Sequence, residues 1–243
     1  MELPKLSIIV PAYNEERFIR QLLEKVIAVD LSQFNLEKEV IVVDDCSKDG
    51  TGEIIGAFPG VRLIKHKRNT GKGGAVRTGI NAATGLYLII QDADLEYDPA
   101  DYQKMVAALL RNQTAAVYGS RYYKYPGYSR IVNLLTGKHK RQSWLAYLGG
   151  QSLSFAACIC TGHYLSDTVT ALKLFRREVI VSLDLQSNGF ELDHEITAKV
   201  FALGGQIEEI PISYFPRSKR DGKKIGLKDW FIAIKTFYRY RNG

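Results

Sequence analysis

The sequence predicts an α/β fold in which a mostly parallel central sheet is flanked by helices. Short apolar runs of strand length alternate with amphipathic stretches of helical length, which is the pattern of βαβ units. An apolar fraction of 46% supports a buried core, and 24% charged residues is typical of a globular protein. No linker rich in Pro, Gly or Ser divides the 243 residues. A single domain over residues 1–243 is therefore predicted.

Each strand is predicted from a short β-prone run, and each helix from apolar residues at helical spacing. The predicted strands are residues 6–10, 39–43, 61–64, 88–90, 115–118, 171–175 and 206–212. The predicted helices are residues 18–27, 73–83, 99–111, 192–203 and 227–240, with another expected after the turn at 47–51. Asn14 is a predicted N-cap, Pro99 a predicted first helical residue, and Gly204 a predicted helix terminator.

The predicted strand 88–90 ends abruptly in carboxylates. Asp92 and Asp94 follow where this buried strand should emerge, and Glu96 lies close behind. These carboxylates repel one another unless a cation joins them, and a magnesium-like ion would also hold substrate phosphates. The alternative is an acidic turn or a helix cap before Pro99.

Two other predicted strands end in polar clusters, at residues 11–15 and at Asp44 and Asp45. The carboxyl ends of parallel strands share one edge of a sheet, so the three clusters outline a single crevice. A nucleotide fits it, with Asp44 accepting hydrogen bonds from a base or ribose and with Ala12 and Tyr13 as a pocket wall. The alternative for the acidic pair is helix capping, by Asp45 or Ser47.

The glycine-rich stretch 69–77 precedes a predicted helix. It matches neither G-x-x-x-x-G-K-[ST] nor G-x-G-x-x-G, which disfavours a P-loop NTPase and a Rossmann dehydrogenase. Close backbone approach at Gly71 and the cation of Lys72 still suit a nucleotide diphosphate near the helix start. The alternative is a tight turn with a solvated Lys72.

Arg121 follows a strand end and can point a guanidinium into the same crevice, where it would clamp phosphate oxygens. Four carboxylates further along the chain are candidates for a general base or a sugar-hydroxyl ligand. They are Asp167, Glu191, Asp193 and Glu195. The alternative for the last three is a complement to the dipole of the helix that begins there.

The formal charge of +7 and the pI near 9.2 suggest an anionic partner. The basic loop 217–224 suits a phosphate-bearing acceptor or anionic lipid heads. The tail 235–241 interleaves basic with aromatic residues as membrane-interface segments do, and its alternative is a solvated charge run. The uncharged stretch 142–162 predicts a helix that either lies on a membrane surface or is buried. Nucleic acid is not expected, because no recognised reading module accompanies these charges. Three cysteines without disulfide spacing suit a reducing cytosol, and no zinc site is expected.

Several of these motifs together resemble family 2 glycosyltransferases of the GT-A fold, and among them the polyprenyl-phosphate (dolichol-phosphate) sugar synthases. The matching stretches are residues 7–15, 43–51, 69–73, 91–96, 119–121, 167–177 and 210–225. The resemblance implies an inverting transfer from a UDP- or GDP-linked sugar to a dolichyl or undecaprenyl phosphate. It also implies Mg²⁺ or Mn²⁺ held by Asp92 and Asp94, with Glu96 as a third ligand.

The same resemblance assigns substrate contacts. Donor positions are Pro11, Ala12, Tyr13, Glu15, Asp44, Gly71, Lys72, Gln91, Asp92 and Ala93. Positions that handle phosphates of donor or acceptor are Arg121, Arg217 and Lys219. Residues 212–243 would then form a basic acceptor loop and a C-terminal amphipathic helix.

Two mechanisms remain open at this point. A lipid phosphate is already an anionic nucleophile and requires no strong base, so cations that stabilise the departing diphosphate would suffice. A sugar or polysaccharide hydroxyl would require a carboxylate base, with Glu191, Asp193 and Asp167 as candidates.

The sequence departs from the family pattern in two places. Thr170 and Ala171 stand where relatives often carry Cys-Gly or Ser-Gly, which affects sugar or acceptor contacts. Many relatives also carry transmembrane helices near the C-terminus, whereas this chain ends after one amphipathic helix. Membrane contact is therefore expected to be peripheral, at the cytoplasmic face.

Overall fold

The computed structural model describes residues 3–112, 114–123, 144–216 and 227–242. Seven strands cover β1 Lys5–Ala12, β2 Glu37–Asp44, β3 Val61–Lys65, β4 Tyr87–Ile90, β5 Ala116–Ser120, β6 Lys173–Arg176 and β7 Ile207–Pro211. Described helices are α1 Ile19–Ala28, α2 Thr51–Gly56, α3 Gly71–Ala82, α4 Tyr102–Arg111, α5 Trp144–Thr161, α6 Arg177–Ser182, α7 Leu192–Ala202 and α8 Leu227–Tyr240. Short 3₁₀ turns cover Ser32–Phe34 and Pro99–Asp101.

All seven strands join one sheet in the order β3-β2-β1-β4-β6-β5-β7. The four strands β1 to β4 are mutually parallel, and β5 is parallel to β7. Among the described strands, β6 alone runs antiparallel to its neighbours, β4 and β5. The predicted α/β fold with a mostly parallel sheet is confirmed. The reversal at β6 was not predicted, because an apolar run that is buried on both faces reads the same in either direction.

Apolar side chains fill a layer on each face of the sheet. Ile8 and Val10 of β1 enter the layer that contains α1 and α4, whereas Ile9 enters the layer that contains α3 and α7. This alternation is the two-residue period of a strand. Because helices cover both faces in the part of the chain that the structure describes, the strand ends there are the places open to a ligand.

Helix α1 begins at Ile19, and Asn14 is not its N-cap. Asn14 instead adopts a left-handed conformation with φ of 55°, and its side chain accepts a hydrogen bond from the Lys48 amide at 2.8 Å. The amide of Asn14 donates to the Ser47 hydroxyl. Residues 13–17 stay out of the helix because hydrogen bonds hold Asn14 to the loop after β2.

Other helix boundaries agree closely with the sequence. Gly204, with φ of 74°, follows the end of α7, and α8 has the predicted bounds. The predicted helix at 99–111 begins with a 3₁₀ turn that Asp98 caps through the Ala100 amide. Within the described part of the chain, no helix combines the length and apolar character needed to span a bilayer.

Candidate active site

The polar clusters that follow β1, β2 and β4 lie at one edge of the sheet, as predicted. In the sheet, β1 lies between β2 and β4. Its last residue, Ala12, pairs in register with Asp44 of β2. On the other side, the Gln91 amide after β4 donates to the Ile9 carbonyl of β1 at 3.0 Å. Strand β5 ends at the same edge, because β4 and β5 are both antiparallel to β6. Arg121 is therefore brought to the same side of the molecule as Asp92.

The residues predicted to form a nucleotide wall lie at the ends of β1 and β2. Pro11 and Ala12 are buried, while the Tyr13 side chain is 43% exposed. The Asp44 carboxylate accepts from the Ser47 amide at 2.9 Å. A Cβ on Gly52 would stand 2.6 Å from the other Asp44 oxygen, so glycine is required for this close approach.

The Glu15 amide donates to the hydroxyl of Thr51 at the start of α2, which joins the loop after β1 to the loop after β2. Both sides of the wall are thus held by hydrogen bonds within the chain.

Asp45 is a helix cap, but for α3 and not for the helix that follows it. Its carboxylate accepts from the amides of Thr70 and Gly71 at 2.8 Å each and contacts the His66 ring at 2.7 Å. A carboxylate at this position complements the positive end of the helix dipole. Ser47 caps no helix, since its hydroxyl accepts from Asn14.

The glycines before and within α3 accommodate a neighbouring segment of the chain. Gly71 has φ of 85°, and a Cβ there would meet the Asn188 carbonyl at 2.4 Å. A Cβ on Gly73 would meet the Ser187 carbonyl at 2.5 Å, and the Gly74 amide donates to Asn188. The close approach inferred from the glycines is therefore an approach of residues 187–189. The Gly71 amide is already bonded to Asp45 and is not directed at a diphosphate.

The acidic strand end is held by three different partners. Asp92 accepts from the Lys72 ammonium at 2.8 Å. Asp94 is buried and accepts from the Glu96 amide at 3.0 Å. Glu96 accepts from the Tyr214 hydroxyl at 2.9 Å.

Gln91 and Ala93, which flank Asp92, are both buried. The Gln91 side chain accepts from the Tyr102 hydroxyl and donates to the Asp92 carbonyl. The two hydrogen bonds of Gln91 fix the backbone of the turn that contains Asp92.

Among the described residues, no three His, Cys, Asp or Glu side chains converge into a metal-binding group. Glu96 is thus not gathered with Asp92 and Asp94 into a three-carboxylate cluster, because its carboxylate is drawn to Tyr214. The two aspartates remain hard oxygen donors next to the predicted nucleotide pocket. They would hold Mg²⁺ or Mn²⁺, because both ions prefer oxygen ligands such as carboxylates.

Arg121 and Asp167, predicted separately, form one bidentate ion pair. Arg121 Nε and Nη2 each lie 2.7 Å from a different Asp167 oxygen, and the Arg121 amide also donates to that carboxylate at 3.0 Å. Asp167 is fully buried. Burial alone would lower the pKa of Arg121, but the charge of Asp167 outweighs it and raises that pKa well above its ordinary value. The guanidinium is therefore a fixed, permanent cation at the crevice.

Glu209 on β7 holds the backbone of the segment that carries Asp167. Its carboxylate accepts from the Ser166 amide, the Ser166 hydroxyl and the Asp167 amide, at 2.7 to 2.9 Å. Burial raises the pKa of Glu209 to about 7, against the opposing effect of these hydrogen bonds. The segment that carries Asp167 is thereby anchored to the sheet.

The remaining predicted carboxylates are also engaged. Glu191 accepts from the Gly189 amide at 2.9 Å, within its own turn. Glu195 pairs with Lys199 at 2.8 Å and accepts from the Gln186 and Ser187 amides. Asp193 lies between two lysines, with Lys72 at 3.2 Å and Lys173 at 2.7 Å.

Burial by itself would raise the pKa of Asp193, but the charges of Lys173 and Lys72 hold it well below its ordinary value. A carboxylate with so low a pKa is a weak proton acceptor, which disfavours Asp193 as a general base.

Sequence reasoning missed Lys173, Glu209 and Tyr214. A lone lysine inside the apolar run 171–175 was the available signal for Lys173, since a buried lysine requires a counter-charge. Glu209 and Tyr214 gave no local signal, because their partners Ser166 and Glu96 are distant in sequence. Arg217 and Lys219, predicted to handle phosphates, lie outside the described residues.

A mostly parallel sheet in which β1 and β2 end in polar loops and β4 ends in a D-x-D turn, here Asp92 and Asp94, is the arrangement of the GT-A class of glycosyltransferase folds. Solved structures agree with this class. Glucosyl-3-phosphoglycerate synthase from Mycobacterium tuberculosis in complex with UDP superposes with a TM-score of 0.71 at 18% identity, covering 98% of this chain and 80% of that one. The same enzyme with Mn²⁺, UDP-glucose and phosphoglyceric acid gives a TM-score of 0.65 at 19% identity, covering 90% and 74%.

Residues 7–182 match the family described as Glycosyl transferase family 2, and the chain belongs to that family. It is 27% identical to the dolichol-phosphate mannosyltransferase of Pyrococcus furiosus, over 97% of this chain and 63% of the relative. It is 29% identical to the UDP-N-acetylglucosamine–dolichyl-phosphate N-acetylglucosaminyltransferase of Methanococcus voltae, over 96% and 94%. The chain thus spans less than two thirds of the Pyrococcus relative.

Proposed function

We propose that this protein transfers a sugar, with inversion, from a nucleotide-sugar to a polyprenyl phosphate. The observation that carries the proposal is the state of the three carboxylates that a hydroxyl acceptor would need as a base. Asp167 is paired with Arg121, Asp193 lies between two lysines, and Glu191 accepts from a backbone amide. A phosphate nucleophile is already anionic and does not need any of them as a base.

The cations of the crevice suit this chemistry. Arg121 uses two of its nitrogens for Asp167 and keeps further N–H donors, which can bind a phosphate oxygen of donor or acceptor. Asp92 and Asp94 would hold Mg²⁺ or Mn²⁺, which would supply positive charge to the departing diphosphate. The relatives named for dolichyl-phosphate acceptors support the choice of acceptor.

The acceptor is tested by the lability of the product. The protein is incubated with radiolabelled UDP-glucose or GDP-mannose, undecaprenyl phosphate and Mn²⁺, and the lipid phase is extracted. We expect label in the lipid phase that mild acid releases, because a glycosyl phosphate is acid-labile. A product that forms only with a sugar or polysaccharide acceptor and resists mild acid would contradict the proposal and favour a hydroxyl acceptor.

We also propose that α5 and α8 rest on an anionic membrane at the cytoplasmic face. Helix α5 contains no charged residue, and four of its apolar side chains are each more than half exposed. They are Trp144, Leu148, Phe155 and Ile159. Neighbouring α8 exposes Phe231 together with Lys228, Lys235 and Arg239. Apolar side chains flanked by cations are the composition of helices that lie in a bilayer interface.

This surface is structurally joined to the candidate site. Trp230 of α8 donates to Ser152 of α5 at 2.8 Å. The adjacent Gln151 of α5 donates to the Ser166 carbonyl at 3.2 Å, in the segment before Asp167. A lipid phosphate held near Arg121 would therefore extend its chain beside α5.

Membrane contact is tested by flotation with phosphatidylglycerol vesicles in the absence of any donor. We expect the wild-type protein to float, and the variant Phe155→Ser/Ile159→Ser to bind at least several-fold less because it loses buried apolar area. Leu86→Ser is the control, since Leu86 is also more than half exposed but lies before β4, at the edge of the sheet opposite the candidate site. Equal flotation of all three proteins would contradict the membrane surface.

A further inference from the structure

Four charges form an alternating chain that starts at the D-x-D turn, where the Asp92 side chain is 26% exposed, and ends at the fully buried Lys173. The order is Asp92, Lys72, Asp193 and Lys173, with successive oxygen–nitrogen distances of 2.8, 3.2 and 2.7 Å. Lys173 is fully buried and also donates to the Thr170 carbonyl. Each carboxylate thus has an adjacent cation, as charges removed from water require.

Lys72 stands at a position that local helix chemistry does not favour. It is the second residue of α3, where the helix dipole favours carboxylates and disfavours ammonium groups. Asp45 supplies the favourable negative charge there, but it bonds the backbone amides and not Lys72. The reason for a lysine at this position is therefore its contact with Asp92 and Asp193.

Asp193 can hold the Lys72 ammonium even when that ammonium does not contact Asp92. It lies in the first turn of α7, the end of a helix that stabilises a carboxylate. Its second oxygen is bound by Lys173, which is fixed on strand β6. Asp193 is consequently a rigid anchor, and the flexible four-carbon stem of Lys72 is the mobile part of the chain of charges.

A divalent ion and the Lys72 ammonium compete for the same carboxylate. Lys72 lies 2.8 Å from Asp92 Oδ1, so an ion bound by that oxygen would face a positive charge at close range. The repulsion is removed if the ammonium leaves Asp92 while it stays on Asp193. From there it can reach an anionic group that enters beside Asp92.

We propose that Lys72 is an internal cation that holds Asp92 between turnovers and moves onto the diphosphate when the donor binds. Asp193 is then a positioning residue, neutralised by Lys173, from which Lys72 swings. This exchange rests on the metal-dependent transfer proposed above, and it states where the Lys72 ammonium lies before and after the donor binds. Before the donor arrives, Lys72 protects the acidic turn from self-repulsion, and afterwards it stabilises the negative charge of the leaving group.

The test compares Mn²⁺ binding and nucleotide binding in Lys72→Met. Mn²⁺ alone is titrated by electron paramagnetic resonance, and UDP is titrated by calorimetry at saturating Mn²⁺. We expect Mn²⁺ alone to bind about tenfold more tightly to the variant, because its competitor is gone, and UDP to bind about tenfold more weakly. These opposite signs are the signature of exchange, which a merely structural role of Lys72 would not produce.

Two further variants complete the test. Arg20→Met removes one exposed positive charge on α1 and is expected to change neither affinity. Asp193→Asn combined with Lys173→Met removes the anchor without leaving a buried lysine unpaired, and it should weaken UDP binding as Lys72→Met does.

Unchanged or weaker Mn²⁺ binding by Lys72→Met, or no Mn²⁺ binding by it at all, would overturn the exchange. The lability assay for the lipid-linked product decides the proposed function separately, since it does not depend on where Lys72 lies.

Discussion

Asp94→Asn is expected to lower sugar transfer by about 10²- to 10³-fold, the typical cost of removing one group that stabilises charge in a transition state. Asp94 is buried in the turn after β4, and an asparagine side chain can still accept the Glu96 amide. The substitution therefore removes a charge while it preserves the turn. Transfer is measured with the radiolabelled donor at saturating Mn²⁺.

A second measurement separates the metal from the fold. UDP with Mn²⁺ at a hundred times its dissociation constant should stabilise the wild-type protein by ~2.7 kcal/mol, and Asp94→Asn should lose most of this gain. Glu24→Gln makes the same chemical change on the exposed face of α1 and should behave as wild type. If Asp94→Asn retained full transfer and full stabilisation, the metal assignment would be wrong.

Arg121→Met is expected to reduce stability by about 3–5 kcal/mol, because it leaves the Asp167 carboxylate buried without its cation. The double variant Arg121→Met/Asp167→Asn should recover most of that loss, since it removes both charges and keeps an acceptor for the residue-121 amide. Both variants should transfer sugar at least about 100-fold more slowly, because each lacks the guanidinium that we propose binds a phosphate oxygen. Urea unfolding and the transfer assay provide the two measurements.

The surface pair Arg111–Glu208 gives the matched control. Its nitrogen–oxygen distance is 3.4 Å and Arg111 is mostly exposed, so Arg111→Met should cost less than about 1 kcal/mol. A double variant that regained both stability and activity would contradict a direct role for Arg121. If the double variant regains stability but not activity, the result supports a direct role, since the ion pair would then be needed for transfer beyond its contribution to folding.

Much of the fold could be predicted because its signals are local. The apolar runs of β1 to β4 and the helical spacing of α8 are properties of consecutive residues, and the structure reproduces them within a few positions. Asn14 shows where local reasoning fails. Its side chain is a good helix cap in isolation, but its partner Lys48 lies 34 positions away and holds it in a loop. The short helix α6 likewise escaped prediction.

For the candidate site too, the sequence predicted some residues and missed others. Asp92, Asp94, Asp44 and Arg121 were identified because each follows a predicted strand, and parallel strands bring their ends together. Their partners were not identified. Glu209 beneath Asp167 and Tyr214 on Glu96 are separated from those residues by 42 and 118 positions, and no local pattern joins them.

The sequence by itself determined that the acidic turn at 91–96 lies at the carboxyl edge of a mostly parallel sheet, beside the loops predicted to bind a nucleotide, because strand period and strand-end chemistry are local. Only the tertiary structure decided how each carboxylate is used. It pairs Asp167 with Arg121, places Asp193 between two lysines, and directs Glu96 to Tyr214. The physical reason is burial, since a charge removed from water must find its partner in space wherever that partner lies in the chain.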